Sequence, residues 1–466
     1  MTAPVGLGLA RVTVVTPKRR IDVALPDNVL VAELLPHLLR HAGEELVAPE
    51  DQQAGWTLRR ATGAELDPTR NLAGQGVRDG ELLELMPRQV DWPELAYDDV
   101  VEVVASGARR LGRSWGRPAT RRCGLAVTSA LLGFGLVALL LSGPSWATPG
   151  LVALGLALVL AIVGIVLSRA AGDAGAGAVV AGTGQLYALA GGLIVSAPAG
   201  APLTRLGAPR VLLGSAALLV FAVIGLTGVA AVQRIFTAGV SLGVAGILSA
   251  LLCYAGMSAA GGAAVAATLA IGLLPGYPLM ASWLGKLPVP ELPDRPEKIL
   301  EDRPTPPRSG VFATVARATE LLTGMLLAAA IVAVAGSAAL LLAGDPVGSL
   351  LVLAVGVASL LRSRLFPTPR QRVPLLAGGV ICLALLTLEV TVRTHSTGIR
   401  LLLALGVVVA VALVLAATLT YTRRTPSPYL GRLADIVDVL AIMALIPLAA
   451  GVVGVYHVIQ GVFASI

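Results

Sequence analysis

IFTAGVSLGVAGILSALLCYAGMSAAGGAAVAATLAIGLLPGYPLMASWL, residues 235–284, contains no Asp, Glu, Lys, Arg or His. As one helix rising about 1.5 Å per residue it would extend about 75 Å, more than twice a bilayer core of about 30 Å. The stretch must therefore fold back on itself. Met257 to Gly262, small and uncharged, is the expected turn. It leaves two bilayer crossings, Ile235–Ala255 and Gly261–Leu284.

The same apolar spacing recurs on both sides. Cys123–Leu141, Pro149–Leu167, Ala174–Val195 and Val211–Val232 precede that pair. Leu321–Ala343, Val347–Leu361, Pro374–Val392, Arg400–Tyr421 and Ile436–Val458 follow it. Val347–Leu361 is short, but Gly344-Asp345-Pro346 breaks the chain before it. The expected fold is an α-helical polytopic membrane body over residues 123–466, with about 11 transmembrane helices.

Composition agrees. Of 466 residues, 56% are hydrophobic and only 14% charged, and the mean hydropathy is +0.82. Soluble domains carry about 25% charged residues, so a wholly soluble protein is excluded. The 53 Gly and 30 Pro lie among Leu, Val and Ala, where small residues let membrane helices approach closely.

The net charge of +7 does not point to nucleic acid once it is mapped. Residues 1–90 hold 10 basic and 12 acidic groups, and the basic excess flanks the apolar stretches. With the head placed in the cytoplasm, 21 basic residues fall on cytoplasmic flanks. Only Arg205, Arg210, Arg393 and Arg400 fall on the other side. That asymmetry satisfies the positive-inside rule. It predicts a cytoplasmic N-terminus and an extracytoplasmic C-terminus. No basic segment followed by an apolar core opens the chain, so the first crossing is expected to act as the insertion signal.

Residues 1–90 read as soluble sequence. Val12 and Val14, then Ile21, Val23 and Leu25, alternate as a hairpin around Pro17-Lys18-Arg19. Asp27 or Asn28 is placed to cap a helix with apolar positions Val31, Leu34, Leu35, Leu38 and Leu39. Pro36 argues for a kink or a shifted start. Trp56-Thr57-Leu58 and Leu83 with Leu85 supply later strands, the last after an Asp79-Gly80 turn. This order resembles a ubiquitin-like β-grasp (α+β) domain. The chain runs on through Met86-Pro87-Arg88 rather than ending in Gly-Gly, which leaves docking, not conjugation, as the head's use.

Residues 91–122 run from acidic (Asp91, Glu94, Asp98, Asp99, Glu102) to basic (Arg109, Arg110, Arg113, Arg117, Arg121, Arg122). A helix from about Asp98 would complement its own dipole and present its basic end to anionic headgroups, with Trp115 as an interfacial anchor. Residues 285–318 form the one sizeable cytoplasmic loop of the body, rich in Pro and in both charge signs.

Site chemistry is sparse. His37 and His41 are spaced for one helix face, but a third ligand is missing nearby, so a solvated face is expected rather than zinc. Cys123, Cys253 and Cys382 are isolated and read as small core hydrophobes. Gly172-Asp173-Ala174-Gly175-Ala176-Gly177 lacks the Lys-Ser/Thr of a phosphate loop and reads as close helix packing. Only Glu389 lies well inside a crossing, where Arg393 can pair with it one turn on. Asp173, Glu320, Asp435 and Asp438 lie near helix ends, where solvent or snorkelling suffices. The chain is expected not to be an enzyme, with no catalytic, cofactor-binding or metal-binding residue and no cofactor.

A ubiquitin-like head, a charged linker and eleven crossings together resemble the EccD family, the multispanning subunit of type VII (ESX) secretion. Local features carry the likeness further: Lys286-Leu287-Pro288-Val289-Pro290 after the sixth crossing, Ala316-Arg317-Ala318 before the seventh, and Ser427-Pro428-Tyr429-Leu430 before a final segment with Ala434-Asp435-Ile436, Pro447 and Val455-Tyr456. The Ala, Gly, Arg and Leu bias suits a high-GC actinobacterium. The resemblance implies a structural channel or scaffold component of the plasma membrane. It would act beside an EccC-type FtsK/SpoIIIE-like ATPase and the EccB and EccE subunits. It would pair with a second copy of itself around a lipid-filled vestibule and brace the ATPase stalk with its head. The alternative is a secondary transporter with a cytoplasmic regulatory domain, for which Glu389 is the candidate ion or proton site. A membrane-embedded enzyme acting on lipid is weaker still, because no catalytic constellation is present.

Overall fold

The computed structural model describes residues 8–16, 20–42, 56–60, 63–87, 115–143, 145–200, 202, 207–287, 308–421 and 427–456. They divide into two compact units, residues 1–114 and 115–466. The linker helix expected from Asp98 and the loop over 288–307 lie outside the described residues.

The head contains β1 (Leu9–Val15), β2 (Arg20–Pro26), α1 (Val31–Ala42), β3 (Trp56–Arg60) and β4 (Leu82–Pro87). The sheet order is β2-β1-β4-β3. β1 pairs antiparallel with β2, placing Val12 opposite Val23, and parallel with β4, placing Val14 opposite Leu83. Because side chains alternate across a strand, Val12, Val14, Leu58, Leu83 and Leu85 point to one face. There they pack with Val31, Leu34 and Leu38 of α1. α1 starts at Val31, with Asp27 and Asn28 in the turn before it and Pro36 inside it. The start is thus shifted past the expected caps. Gly80 takes φ 82°, and its N–H donates to the Arg11 carbonyl at 2.6 Å, closing the turn into β4. This is the β-grasp arrangement.

The body contains α2 (Arg117–Leu141), α3 (Ala147–Arg169), α4 (Ala174–Val195), α5 (Ala208–Gly228), α6 (Gln233–Tyr254), α7 (Ala259–Gly272), α8 (Tyr277–Leu284), α9 (Arg308–Ala343), α10 (Pro346–Arg362), α11 (Pro369–Arg393), α12 (Thr397–Tyr421) and α13 (Pro428–Val453). Among the described residues ten helices are long and apolar enough to cross a membrane, and α7 with α8, bent by 46°, adds an eleventh if the pair is one span. Leu274-Pro275-Gly276 forms a 3₁₀ turn at the bend. Proline removes a helix hydrogen bond and clashes with the preceding turn. The expected single helix over Gly261–Leu284 is therefore corrected to two.

The bent pair runs from one end of the bundle to the other. α7 starts where α6 ends, on the far side of the bundle from Trp115. Gly285, just past α8, lies against Ala318. Ala318 is two residues from Glu320, whose carboxylate meets Arg234 at the start of α6, on the near side. The last helix ends beside α10's first turn, with Gly451 against Val347.

Several boundaries differ from expectation. α2 begins at Arg117, so Arg117, Arg121 and Arg122 belong to the first helix rather than the linker. The turn after α6 lies at Ala255–Ser258, earlier than expected. Gly256 takes φ 99° there, and the Ser258 hydroxyl caps α7 by accepting from Gly261 N–H at 3.0 Å. α9 has 36 residues and takes up Arg308–Ala318 of the expected loop. The final helix is interrupted at Gly454, with φ 86°, and Val458 of the expected crossing lies outside the described residues.

α3 and α4 show what holds the body together. Gly150, Ala157 and Gly164 on α3 face Gly191, Gly184 and Gly177 on α4, each row spaced by seven residues. A Cβ at Gly191 would stand 3.0 Å from the Gly150 carbonyl, and one at Gly164 would stand 2.7 Å from Ala181 Cβ. Backbone approaches backbone, the arrangement by which helices gain van der Waals contact in lipid. Of the glycine-rich run at 172–177, Gly177 lies in this seam, Gly175 faces the Arg121 guanidinium, and Gly172 takes φ 71° in open space.

Candidate assembly surfaces of the membrane body

Charged groups concentrate at helix ends. On the near side, Arg121 of α2 reaches Asp173 at the start of α4, its Nε donating to Oδ2 at 3.1 Å. Asp173 also accepts from the Ala176 N–H at 2.9 Å as the helix cap. The Arg121 hydrogen bond first, and that cap second, hold the Asp173 carboxyl below the usual carboxylate range. Arg169 ends α3 by donating to the carbonyls of Thr227 and Gly228, each at 2.9 Å. Arg234 meets Glu320 at 3.0 Å. Arg364 meets Asp435 at 2.8 Å, and Arg362 stands 3.6 Å from Asp438. The sequence showed these acids only as helix-end residues. Their partners lie on non-adjacent helices, yet each Arg ends or begins a helix on the same side as its acid, and that was the available signal.

The interior holds little charge. Glu389 and Arg393 of α11 pair at 2.8 Å, as their spacing predicts. Arg393 further donates to the Leu341 carbonyl at 3.0 Å, tying α11 to the end of α9. Arg210, expected as a far-side flank, is buried, and its Nε donates to the Leu193 carbonyl at 2.9 Å. Gln185 is buried mid-helix in α4, and its Nε2 has no partner among the described residues. Many hydroxyls bond helix carbonyls, as Ser359 does to Val355 at 2.7 Å and Thr237 to Gln233 at 2.9 Å. Among the described residues no group of three or more His, Cys, Asp or Glu could hold a metal ion. His37 and His41 are exposed, with His41 Nδ1 3.2 Å from the His37 carbonyl. The described cysteines are free thiols, and Cys382 accepts from the Ser337 hydroxyl at 3.4 Å inside the core.

The remaining surface is apolar. Two clefts of about 260 and 310 Å³ lie between α6, α7 and α9, sharing Ala245, Ala266 and Val332. α2 and α12 bury no residue in the isolated chain, and Leu401, Leu405, Val408 and Leu413 of α12 lie open. In a bilayer such faces meet acyl chains or neighbouring helices. On the head, Arg11, Thr13, Arg20, Asp22 and Gly80 line a shallow open groove on the sheet.

Residues 120–462, nearly all of this body, match the family described as "EccD-like transmembrane domain". The chain belongs to the EccD family. Its head matches a second family over residues 9–85, "WXG100 protein secretion system (Wss), protein YukD", in keeping with the ubiquitin-like fold. The chain is 28% identical over 473 aligned positions to "ESX-4 secretion system protein eccD4" of Mycobacterium tuberculosis, in strains CDC 1551 / Oshkosh and ATCC 25618 / H37Rv, covering 97% of each chain. Two solved structures share the fold. "Structure of protomer 1 of the ESX-3 core complex" matches with TM-score 0.57 and 22% identity over 97% of this chain and 100% of that one. "MycP5-free ESX-5 inner membrane complex, State II" matches with TM-score 0.57 and 19% identity over 88% and 99%. As an EccD-family protein, the chain is a structural, multispanning membrane component of a type VII secretion system and part of a multi-subunit complex.

Proposed function

We propose that the protein is a non-catalytic scaffold whose helices frame a membrane vestibule in a type VII secretion complex. Its head would dock the cytoplasmic part of an EccC-type ATPase, with EccB and EccE subunits and a second copy of itself as further neighbours. The N-terminus would face the cytoplasm and the C-terminus the opposite side. One observation carries this reading: α2 and α12 are long and apolar and contain no fully buried residue, while the interior acid Glu389 is already neutralised by Arg393. Outward surface awaiting neighbours is what a scaffold needs. The same pairing removes the motive for a transporter.

Solubilisation in mild detergent followed by identification of copurifying subunits tests the proposal. The expected result is a large assembly containing the ATPase. Recovery of a lone monomer overturns it. Removing residues 1–90 should leave insertion intact but release the ATPase, and normal secretion by the truncated chain would rule out the docking role. Reporter fusions at both ends should report opposite compartments.

A further inference from the structure

Glu389 and Arg393 do not fill the space around them. They line a cleft of about 590 Å³ between the start of α10 and the end of α11, at the end of the bundle opposite Trp115. Ser349 and Thr394 stand at its rim, and Leu353 and Leu386 line it further in. At about 1.5 Å per residue, Leu353 lies about 10 Å below the first residue of α10, and Leu386 about 10 Å below Arg393. The cleft is therefore polar at its mouth and apolar toward the middle of the crossing.

The charge pair at the mouth is neutral in sum, yet it keeps free bonding capacity. Glu389 is 15% exposed, and its Oε1 stands 2.8 Å from Arg393 Nε. Its Oε2 has no partner among the described residues and is not enclosed by them, so it opens on the cleft. Arg393 is half-exposed. Its Nη2 donates to the Leu341 carbonyl at 3.0 Å and its Nη1 to the Gly344 carbonyl at 3.5 Å. A guanidinium carries five N–H donors, so at least two remain. An open carboxylate oxygen beside open guanidinium donors matches a zwitterion, with an ammonium for the first and a phosphate for the second. A purely anionic headgroup would set a like charge against Glu389, and a quaternary ammonium has no N–H to donate. The shape of the cleft selects the rest of the ligand. Deeper in, the wedge closes, since a Cβ at Gly379 would stand 2.8 Å from the Gly356 carbonyl. A partner helix about 10 Å across cannot enter such a gap. An acyl chain can, and Leu353 is exposed along its path.

We propose that the cleft between α10 and α11 binds a zwitterionic phospholipid bearing a primary ammonium, such as phosphatidylethanolamine. The ammonium donates to Glu389, the phosphate accepts from Arg393, and one acyl chain runs past Leu353 and Leu386. The inference requires only that the body be embedded in a membrane and does not depend on its secretion partners.

The test uses the full chain in neutral detergent, titrated with the dioctanoyl forms of phosphatidylethanolamine, phosphatidylcholine and phosphatidylglycerol, and bound lipid is counted by native mass spectrometry. The ethanolamine lipid should bind most tightly. E389Q should weaken it roughly tenfold, the worth of one hydrogen bond to a charged group, and should leave the choline lipid within about twofold of its affinity, since it makes no such bond. E320Q removes a carboxylate at the opposite end of the bundle and should leave all three affinities unchanged. S349F narrows the mouth without altering charge and should weaken the ethanolamine lipid as well. Free phosphoethanolamine, which lacks the chains, should not displace the lipid at equal concentration. Equal affinity for the ethanolamine and choline lipids, tighter binding of the glycerol lipid, or equal losses in E389Q and E320Q would each reduce the effect to diffuse charge and overturn the site. Displacement by phosphoethanolamine would overturn the role of the apolar depth. Unchanged lipid binding in both E389Q and S349F, together with loss of a copurifying protein, would give the cleft to a basic side chain of that protein instead.

Discussion

The head and the membrane body bury opposite kinds of residue. In the head the core is Val12, Val14, Leu34, Leu58, Leu83 and Leu85. In the body alanine dominates the buried positions, and leucine and valine dominate the exposed ones. Water expels large apolar side chains, at about 25 cal/mol per Å² removed. Lipid is as apolar as leucine and does not. Burial in the body instead follows closeness of approach, which small residues permit. α4 and α12 make the point within one unit. α12 is the more hydropathic helix, yet it buries nothing. α4, with Gly177, Gly184 and Gly191, is buried along its length.

Substitutions should respond accordingly. Leu83→Ala empties a fully buried position between β1 and α1. It should cost the head about 2–5 kcal/mol, read by chemical denaturation through Trp56 fluorescence. A loss under about 1 kcal/mol would mean the head is not held by a water-driven core. Gly177→Leu should drive a side chain into the α3 backbone at Gly164 and Ser168. A destabilisation of about 1–3 kcal/mol is expected, seen as a lower melting temperature in detergent. An unchanged midpoint would refute the glycine seam.

Glu389→Gln removes the partner of a half-exposed arginine that keeps its carbonyl contacts. A cost of about 1 kcal/mol or less is expected after allowing for screening, with no change in solute flux across vesicles. Measurable flux abolished by the substitution would revive the transporter.

Acidification probes the near-side ties. Asp173 is held below its ordinary value by Arg121. Its contribution is therefore present above the unfolded-state carboxyl value and lost as pH falls through the lower folded one. The α2–α4 tie should persist at neutral pH and release only in acid, visible as increased hydrogen exchange at Ala176. Arg121→Gln should move that acid-dependent step to higher pH, leaving the part due to the Ala176 cap. The smallest effect is expected in α12. Replacing Leu401, Leu405 and Val408 by Ala should move the isolated chain by no more than about 0.5 kcal/mol, while weakening assembly in the complex. A large loss of stability in the monomer would show that α12 packs within the chain.

Much of this was legible from the residues. The period-two run at 9–25 and the apolar spacing of Val31 to Leu39 specify the head, because water enforces that pattern. The apolar lengths specify the crossings, because bilayer thickness is fixed. The break at Leu274-Pro275-Gly276 was missed, although Pro275 was the residue that signalled it. The expected Glu389–Arg393 pair is local and needed only helix geometry. Arg121 with Asp173, Arg234 with Glu320 and Arg364 with Asp435 were not legible, because the helices that bring them together are distant in the chain.

The sequence by itself determined a water-soluble β-grasp followed by a lipid-embedded helical body, since both follow from how solvents sort apolar side chains along a local period. Only the tertiary structure decided which faces of those helices meet each other, which acids meet which arginines, and which helices stay uncovered. Hydropathy carries no such information inside a membrane. There the choice rests on backbone approach and charge pairing between segments far apart in sequence.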